Sequence, residues 1–212
     1  MENTENKMGT MPVFKLIVSM SLPAMLSMMV QALYNVVDSF FVAKISENAL
    51  TAVSLAFPIQ TLLIAVGVGT AVGINSLVSR RLGEKRQDEA DSAATHGILL
   101  GVFNWVLFAV IGIFFSRLFF QSFTQNQEVI AMGTQYMSIV CIVSFGVFIE
   151  INIEKTLQAT GNMIYPMVSQ LIGAITNIIL DPIFIFGLFG VPKMGVAGAA
   201  IATVIGQVFA ML

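Results

Sequence analysis

The sequence predicts an all-α membrane protein, a bundle of six transmembrane helices. Three observations point there. The 212 residues are 57% hydrophobic and only 10% charged, with a mean hydropathy of +0.88; soluble domains carry about 25% charged residues. Six apolar segments stand apart, and a spanning helix needs roughly 20 mostly apolar residues. The charges fall almost wholly in the short stretches between those segments.

In chain order, a polar tail (1–12) precedes a six-helix unit (13–212). The first segment, 13–43, is longer than a bilayer requires and contains Pro23, which removes a helical hydrogen bond and predicts a kink. The second, 50–78, holds Pro58, Gly67, Gly69 and Gly73. The third covers 93–120, the fourth 129–153 and the fifth 165–188. The sixth, 195–212, is still apolar at Leu212 and reads as cut within a helix. Small residues in GVGTAVGINS and MGVAGAAIATVIG let helix backbones approach closely.

Seven of the ten basic residues (Lys7, Lys15, Arg80, Arg81, Lys85, Arg86, Lys155) fall on one predicted side, and Lys44, Arg117 and Lys193 on the other. The bias of Lys and Arg toward the cytoplasm then places the N-terminus inside. The tail MENTENKMGTMPVFK lacks the basic start and cleavage site of a signal peptide. A net charge of −2 without a basic patch gives no footing for nucleic acid. Cys141 is alone, so no disulfide forms within the chain, and His96 has no second ligand to make a metal site. The sequence has no GxSxG, Walker A, HExxH or CxxC, and no enzyme is expected.

The chemistry concentrates on segments one and five. Gln31, Tyr34 and Asp38 share one face of a helix, with Asn35 on the adjoining face. A carboxylate within a span costs about 2.5–3.5 kcal/mol on insertion scales, so such a stripe faces a bundle interior or a wet cavity. Asn177 and Asp181 are also four apart, and Pro182 follows. Asp181 could cap a half-helix in a broken span, or face Asp38 across the bundle, or both. Two carboxylates brought together would share one proton, or hold Na⁺ with Asn177 and a hydroxyl such as Thr203. Glu150, Asn152, Glu154 and Lys155 mark the cytoplasmic end of segment four, where Glu150 is expected chiefly to snorkel toward water, the alternative being that it faces a cation or substrate. Tyr136 is a further candidate for the cavity wall. Met and Phe, 13 and 17 in number, would give that wall a plastic apolar surface.

At these residues the chain resembles the multidrug and toxic compound extrusion (MATE) family. The opening helix with Pro23, Gln31, Tyr34, Asn35 and Asp38 carries the likeness, as do GTAVGINSLVSRRLGEKRQDEA and EKTLQATGNMIYPMVSQLIGAITNIILDPIFIF followed by MGVAGAAIATVIGQ. It leans to the bacterial MepA-like branch. The resemblance implies one six-helix lobe of a twelve-helix fold, here the N-terminal lobe without its second lobe. It implies antiport at a bacterial cytoplasmic membrane, with H⁺ or Na⁺ as coupling ion, no cofactor, and amphipathic, often cationic drugs as cargo. Carried over by position, Asp38, Asn177 and Asp181 form the cation site, with Tyr34, Tyr136 and Thr203 as neighbours; the polar stripe of segment one adds Gln31 and Asn35 to the expected cavity wall, and its proline makes Pro23 the expected hinge. The rivals are a lipid-linked precursor flippase of related fold and a non-transporting assembly subunit.

Overall fold

A computed structural model describes residues 7–212; residues 1–6 of the expected tail lie outside the described residues. After a short helix α1 (Lys7–Thr10), the chain forms α2 (Val13–Ala43), α3 (Glu47–Gly83), α4 (Gln87–Phe114) and α5 (Ser116–Phe123). These are followed by α6 (Gln127–Ile142), α7 (Phe145–Ala159), α8 (Ile164–Phe186) and α9 (Val196–Met211). No strand occurs among the described residues. Helices α2, α3, α4 and α8 are each long and apolar enough to span a bilayer, α6 and α7 together make a bent span, and α9 is a shorter apolar helix.

Local chemistry sets the ends. Ser46 caps α3, its side chain accepting from the Ala49 N–H (3.0 Å), and Glu47 complements the positive end of the helix dipole. Gly187 ends α8 at φ 76°, and Gly195 precedes α9 at φ 57°, ψ −129°, a conformation suited to glycine. Between α3 and α4, Arg80, Arg81, Arg86, Glu84 and Glu89 form an ion-pair network, including Arg80 Nε to Glu84 (2.9 Å) and Arg81 Nη1 to Glu84 (2.7 Å). Those two guanidinium groups hold the Glu84 carboxyl well below its ordinary value, at about 2.

The structure differs from the sequence reading at three places. The third span starts earlier and ends at Phe114, because the polar Gln87–Asp91 stretch folds as its first turn; residues 116–123 form the separate helix α5. The fourth segment is two helices bent by 46° rather than one. At the break the Ile142 carbonyl accepts from the Trp105 indole N–H (2.8 Å), and the Ser144 hydroxyl donates to the Cys141 carbonyl (2.8 Å). Side chains thus satisfy carbonyls that a broken helix cannot leave bare in lipid. Helix α8 runs unbroken through Asp181 and Pro182, so Asp181 caps no half-helix. Helix α2, by contrast, keeps the expected bounds, with Pro23 inside it.

Helix α3 packs against α4, α6 and α7; α9 packs against α8, α6 and α7; and α2 lies at the edge, chiefly against α8. The α8–α9 seam is the closest. A Cβ added at Gly206 would sit 2.8 Å from the Gly173 carbonyl oxygen, and one at Gly198 would sit 2.6 Å from the Phe184 carbonyl. Backbones this near need glycine on at least one side.

Two outcomes follow from these contacts. Gly206→Val forces α8 and α9 apart and lowers stability by roughly 1–3 kcal/mol, read as a drop in melting temperature in detergent, whereas Gly69→Ala, which meets open space, leaves it unchanged. For Glu84, whose folded-state value is depressed, the stabilisation is present above the ordinary value of 4.5 and lost as pH falls through about 2. Protection from amide exchange at the α3–α4 turn, corrected for the intrinsic rate at each pH, should therefore fall between pH 4.5 and pH 2 in the wild type, and much less in Glu84→Gln.

Candidate functional site

The polar stripe of α2 turns toward α8 and the bundle interior. Asp38 is 9% exposed, and its Oδ1 is buried with no hydrogen-bond partner among the described residues. Gln31 and Tyr34 are half-buried, and Asn35 is exposed at the rim of the same recess. The opposite face of α2, with Met29, Leu33, Val36 and Phe40, is exposed and apolar.

Across from this stripe, the α8–α9 seam assembles a second polar group. Asp181 is fully buried, Asn177 is 3% exposed and Thr203 is 7% exposed. The Asn177 amide is oriented by its network. Its nitrogen donates to Asp181 Oδ2 (3.1 Å), and its oxygen accepts from the Thr203 backbone N–H (3.1 Å). The Thr203 hydroxyl donates to the Ala199 carbonyl (3.0 Å), which leaves its lone pairs free on the side of the cluster. The Asp38 and Asp181 charges lie within electrostatic reach of each other, and those of both reach Tyr34 and Tyr136. Tyr136, 1% exposed, accepts from Gln60 Nε2 (3.1 Å).

Two ionised carboxylates buried this way are costly without a compensating charge. The oxygens offered here are two carboxylates and the Thr203 hydroxyl, while the Asn177 amide meets Asp181 with its nitrogen and spends its oxygen on the Thr203 N–H. Hard monovalent or divalent cations prefer such oxygen sets. Among the described residues, no three His, Cys, Asp or Glu side chains converge on one point. The set therefore suits a proton or Na⁺ rather than a transition metal.

Two cavities adjoin the cluster. One, of about 380 Å³, opens toward the bundle end that carries the α3–α4 and α7–α8 connections; Ser27, Glu150, Glu154, Gln170, Asn177 and Thr203 are among its walls. The other, of about 170 Å³, lies toward the α2–α3 connection and is walled by Asp38, Asn35, Gln60 and Tyr136. Gln31, Tyr34, Ile64, Val147, Thr203 and Gln207 border both and form the partition between them. Pro23 borders neither.

Sequence reasoning passed over several of these residues. Gln207 lies four residues beyond Thr203, on the same face of α9, and that spacing was a usable signal. Its buried Oε1 has no donor among the described residues. Gln60 and Gln170 stand alone in their segments and gave no such signal. Glu150 lines the larger cavity rather than reaching along the bundle surface as a snorkelling side chain would.

The Asn177 contact yields a stability prediction. Asn177→Ala strips Asp181 of its side-chain donor and should cost about 1–3 kcal/mol. In an Asp181→Asn background the same change should cost less, with a coupling of roughly 0.5–3 kcal/mol in thermal denaturation. Additive losses would show that the two side chains do not act together.

Comparison with known proteins adds relatives to this geometry. The family model described as MatE matches residues 23–183. Over 202 residues the chain is 27% identical to the multidrug export protein MepA of Staphylococcus aureus, covering 95% of this chain and 44% of that one. It is 25% identical over 200 residues to an FAD transporter of Shewanella oneidensis, covering 94% and 44%. Among solved structures, a MOP superfamily transporter from Pyrococcus furiosus superposes with a TM-score of 0.86 at 31% identity, over 93% of this chain and 43% of that one. An outward-facing multidrug resistance MATE family transporter gives 0.82 at 32% identity, over 93% and 43%. The chain spans less than half the length of these relatives.

Proposed function

The chain belongs to the MatE family, and on that premise we propose that it is the N-terminal lobe of a secondary active multidrug exporter. In this reading H⁺ or Na⁺ enters at Asp38, Asn177 and Asp181 while an amphipathic, cationic drug leaves. A second six-helix lobe completes the transporter, which sits in the bacterial cytoplasmic membrane with its N-terminus inside.

One observation carries the reading. Asp181 is buried beside Asn177 and Thr203, Asp38 is buried at the cavity wall that Thr203 shares, and neither has an ion pair to a basic side chain among the described residues. Binding one cation there removes the penalty of enclosing the charges, so the enclosed state is favoured only when the site is filled. A ligand shifts a conformational equilibrium by its differential affinity for the two states, and this site supplies that difference. Antiport then needs drug and cation to favour opposite states of the lobe.

The relatives carry two kinds of cargo by name, drugs for MepA and FAD for the Shewanella protein. The charge of the walls favours the first for this chain. Lys155 is the sole basic residue on either cavity wall among the described residues, and it is paired with Glu154 (3.1 Å). A pyrophosphate-bearing cargo would meet carboxylates there, while a cation would meet acceptors.

The test uses the complete transporter in vesicles. Asp38→Asn, expressed to wild-type level, should lose at least tenfold in gradient-driven ethidium efflux, and wild-type efflux would overturn the role of Asp38. Asp38→Asn and Asp181→Asn should each remove coupling, and the double variant should be no worse than either alone. Independent, multiplying losses would argue for two separate sites.

A further inference from the structure

Glu150 is a half-buried acidic group that the cluster at Asp181 does not use. It lies on α7, in the wall of the 380 Å³ cavity, on the far side of the Tyr34–Gln31 partition from Asp38. Its neighbour one turn along, Glu154, is fully engaged. Glu154 accepts from Lys155 Nζ (3.1 Å), Gln158 Nε2 (2.6 Å) and Gln170 Nε2 (3.2 Å). Glu150 has neither a hydrogen bond nor an ion pair to any described residue. The nearest cation, Lys155, is taken up by Glu154 and Gln158.

A second unpartnered acceptor borders the same space. Gln207 Oε1 is buried without a donor among the described residues, and Gln207 belongs to the partition shared by the two cavities. Asn177 and Thr203 open onto this cavity as well. The Asp181 cluster therefore communicates with the α7–α8 end of the bundle through a space holding one free carboxylate and one free carbonyl oxygen. Lone acceptors in a largely apolar enclosure are costly unless a donor or cation visits them. The charged and titratable groups facing Glu150 are Tyr34 from α2 and Glu154 and Lys155 from α7; α8 contributes Asn177 and Gln170 and α9 contributes Gln207 and Thr203, all neutral.

We propose that Glu150, with Gln207, forms a second monovalent-cation site, a station through which the coupling H⁺ or Na⁺ passes between the Asp38–Asp181 cluster and the cytoplasm. The inference rests on the antiport reading above and adds a step to it. No covalent chemistry is involved: the cation exchanges one set of oxygen ligands for another. Tyr34 and Gln31 stand between the two stations, so their displacement would govern the transfer. Glu154, neutralised by Lys155, leaves the mouth of the cavity without a strong trap, which permits release.

The experiment uses the complete transporter in proteoliposomes, with imposed Na⁺ or H⁺ gradients and ethidium as cargo. The variants are Glu150→Gln, Glu150→Asp and Asp38→Asn. Glu150→Gln should still bind ethidium at equilibrium, more weakly for the wall carboxylate it has lost. It should lose about tenfold in gradient-driven transport, and efflux should no longer respond to Na⁺ or pH on the cytoplasmic side. Glu150→Asp should restore most of that response. Three results would overturn the proposal: wild-type transport and cation response in Glu150→Gln; loss of ethidium binding with cation response retained, which makes Glu150 a cargo anchor; or failure of Glu150→Asp to restore the response in a protein that still binds ethidium. Asp38→Asn is read separately. If it transports normally the antiport reading fails, whereas a defect in Asp38→Asn with none in Glu150→Gln removes only the second station. The Na⁺ and H⁺ arms separate the two cations, since the response that Glu150→Gln abolishes identifies the ion that visits.

Discussion

Everything at the centre of this lobe depends on how near α8 and α9 come to each other. Gly206 lies against the Gly173 carbonyl, and no side chain fits between them. That approach sets Asn177 beside Thr203 and so encloses Asp181 completely. In lipid, helix association draws little on the hydrophobic effect and relies on packing and interhelical hydrogen bonds. The glycines supply the first and the Asn177–Thr203 contact the second. A seam wide enough to admit a water molecule would expose Asp181 and relieve the enclosure that makes a bound cation matter.

The rest of the lobe arranges polar groups along a line without exposing them to hydrocarbon. Helix α2 contributes Gln31, Tyr34 and Asp38, α7 contributes Glu150 and Glu154, α8 contributes Gln170, Asn177 and Asp181, and α9 contributes Thr203 and Gln207. These residues recur at spacings of three, four or, from Gln170 to Asn177, seven residues, so each helix keeps an apolar face for lipid or packing. Tyr34 and Gln31 divide the line into two cavities. The larger, at about 380 Å³, falls in the range of small-molecule sites.

Much of this was legible in the sequence, because membrane helices announce themselves by length and apolarity and because Asp38 and Asp181 are costly where they stand. The spacing of Asn177 and Asp181 gave a shared face directly. What the sequence concealed were features fixed by distant partners. The break between α6 and α7 contains neither proline nor glycine at Val143 and Ser144, and the group that completes it, Trp105, comes from α4. The continuity of α8 through Pro182 went the other way, since local chemistry suggested a cap and tertiary packing kept the helix whole. Glu150 was ambiguous for a related reason. A position near a segment end fits a snorkelling side chain and a cavity-facing one alike, and the cavity wall it joins is completed by distant helices.

Trp105 is the single tryptophan of this chain, and its indole proton is committed to the carbonyl left open where α6 gives way to α7. The ring also meets Phe145 edge-on at a centroid distance of 5.4 Å, the first residue beyond the break. Straightening the bent span would return that carbonyl to the helix, free the indole and move the Phe145 ring away from it. Ser144 and Val147, which follow the break, wall the cavity beside Asp38. The lobe thus carries an intrinsic optical probe, an emission whose colour and polarisation are tied to one joint of the scaffold at the level of the carboxylates.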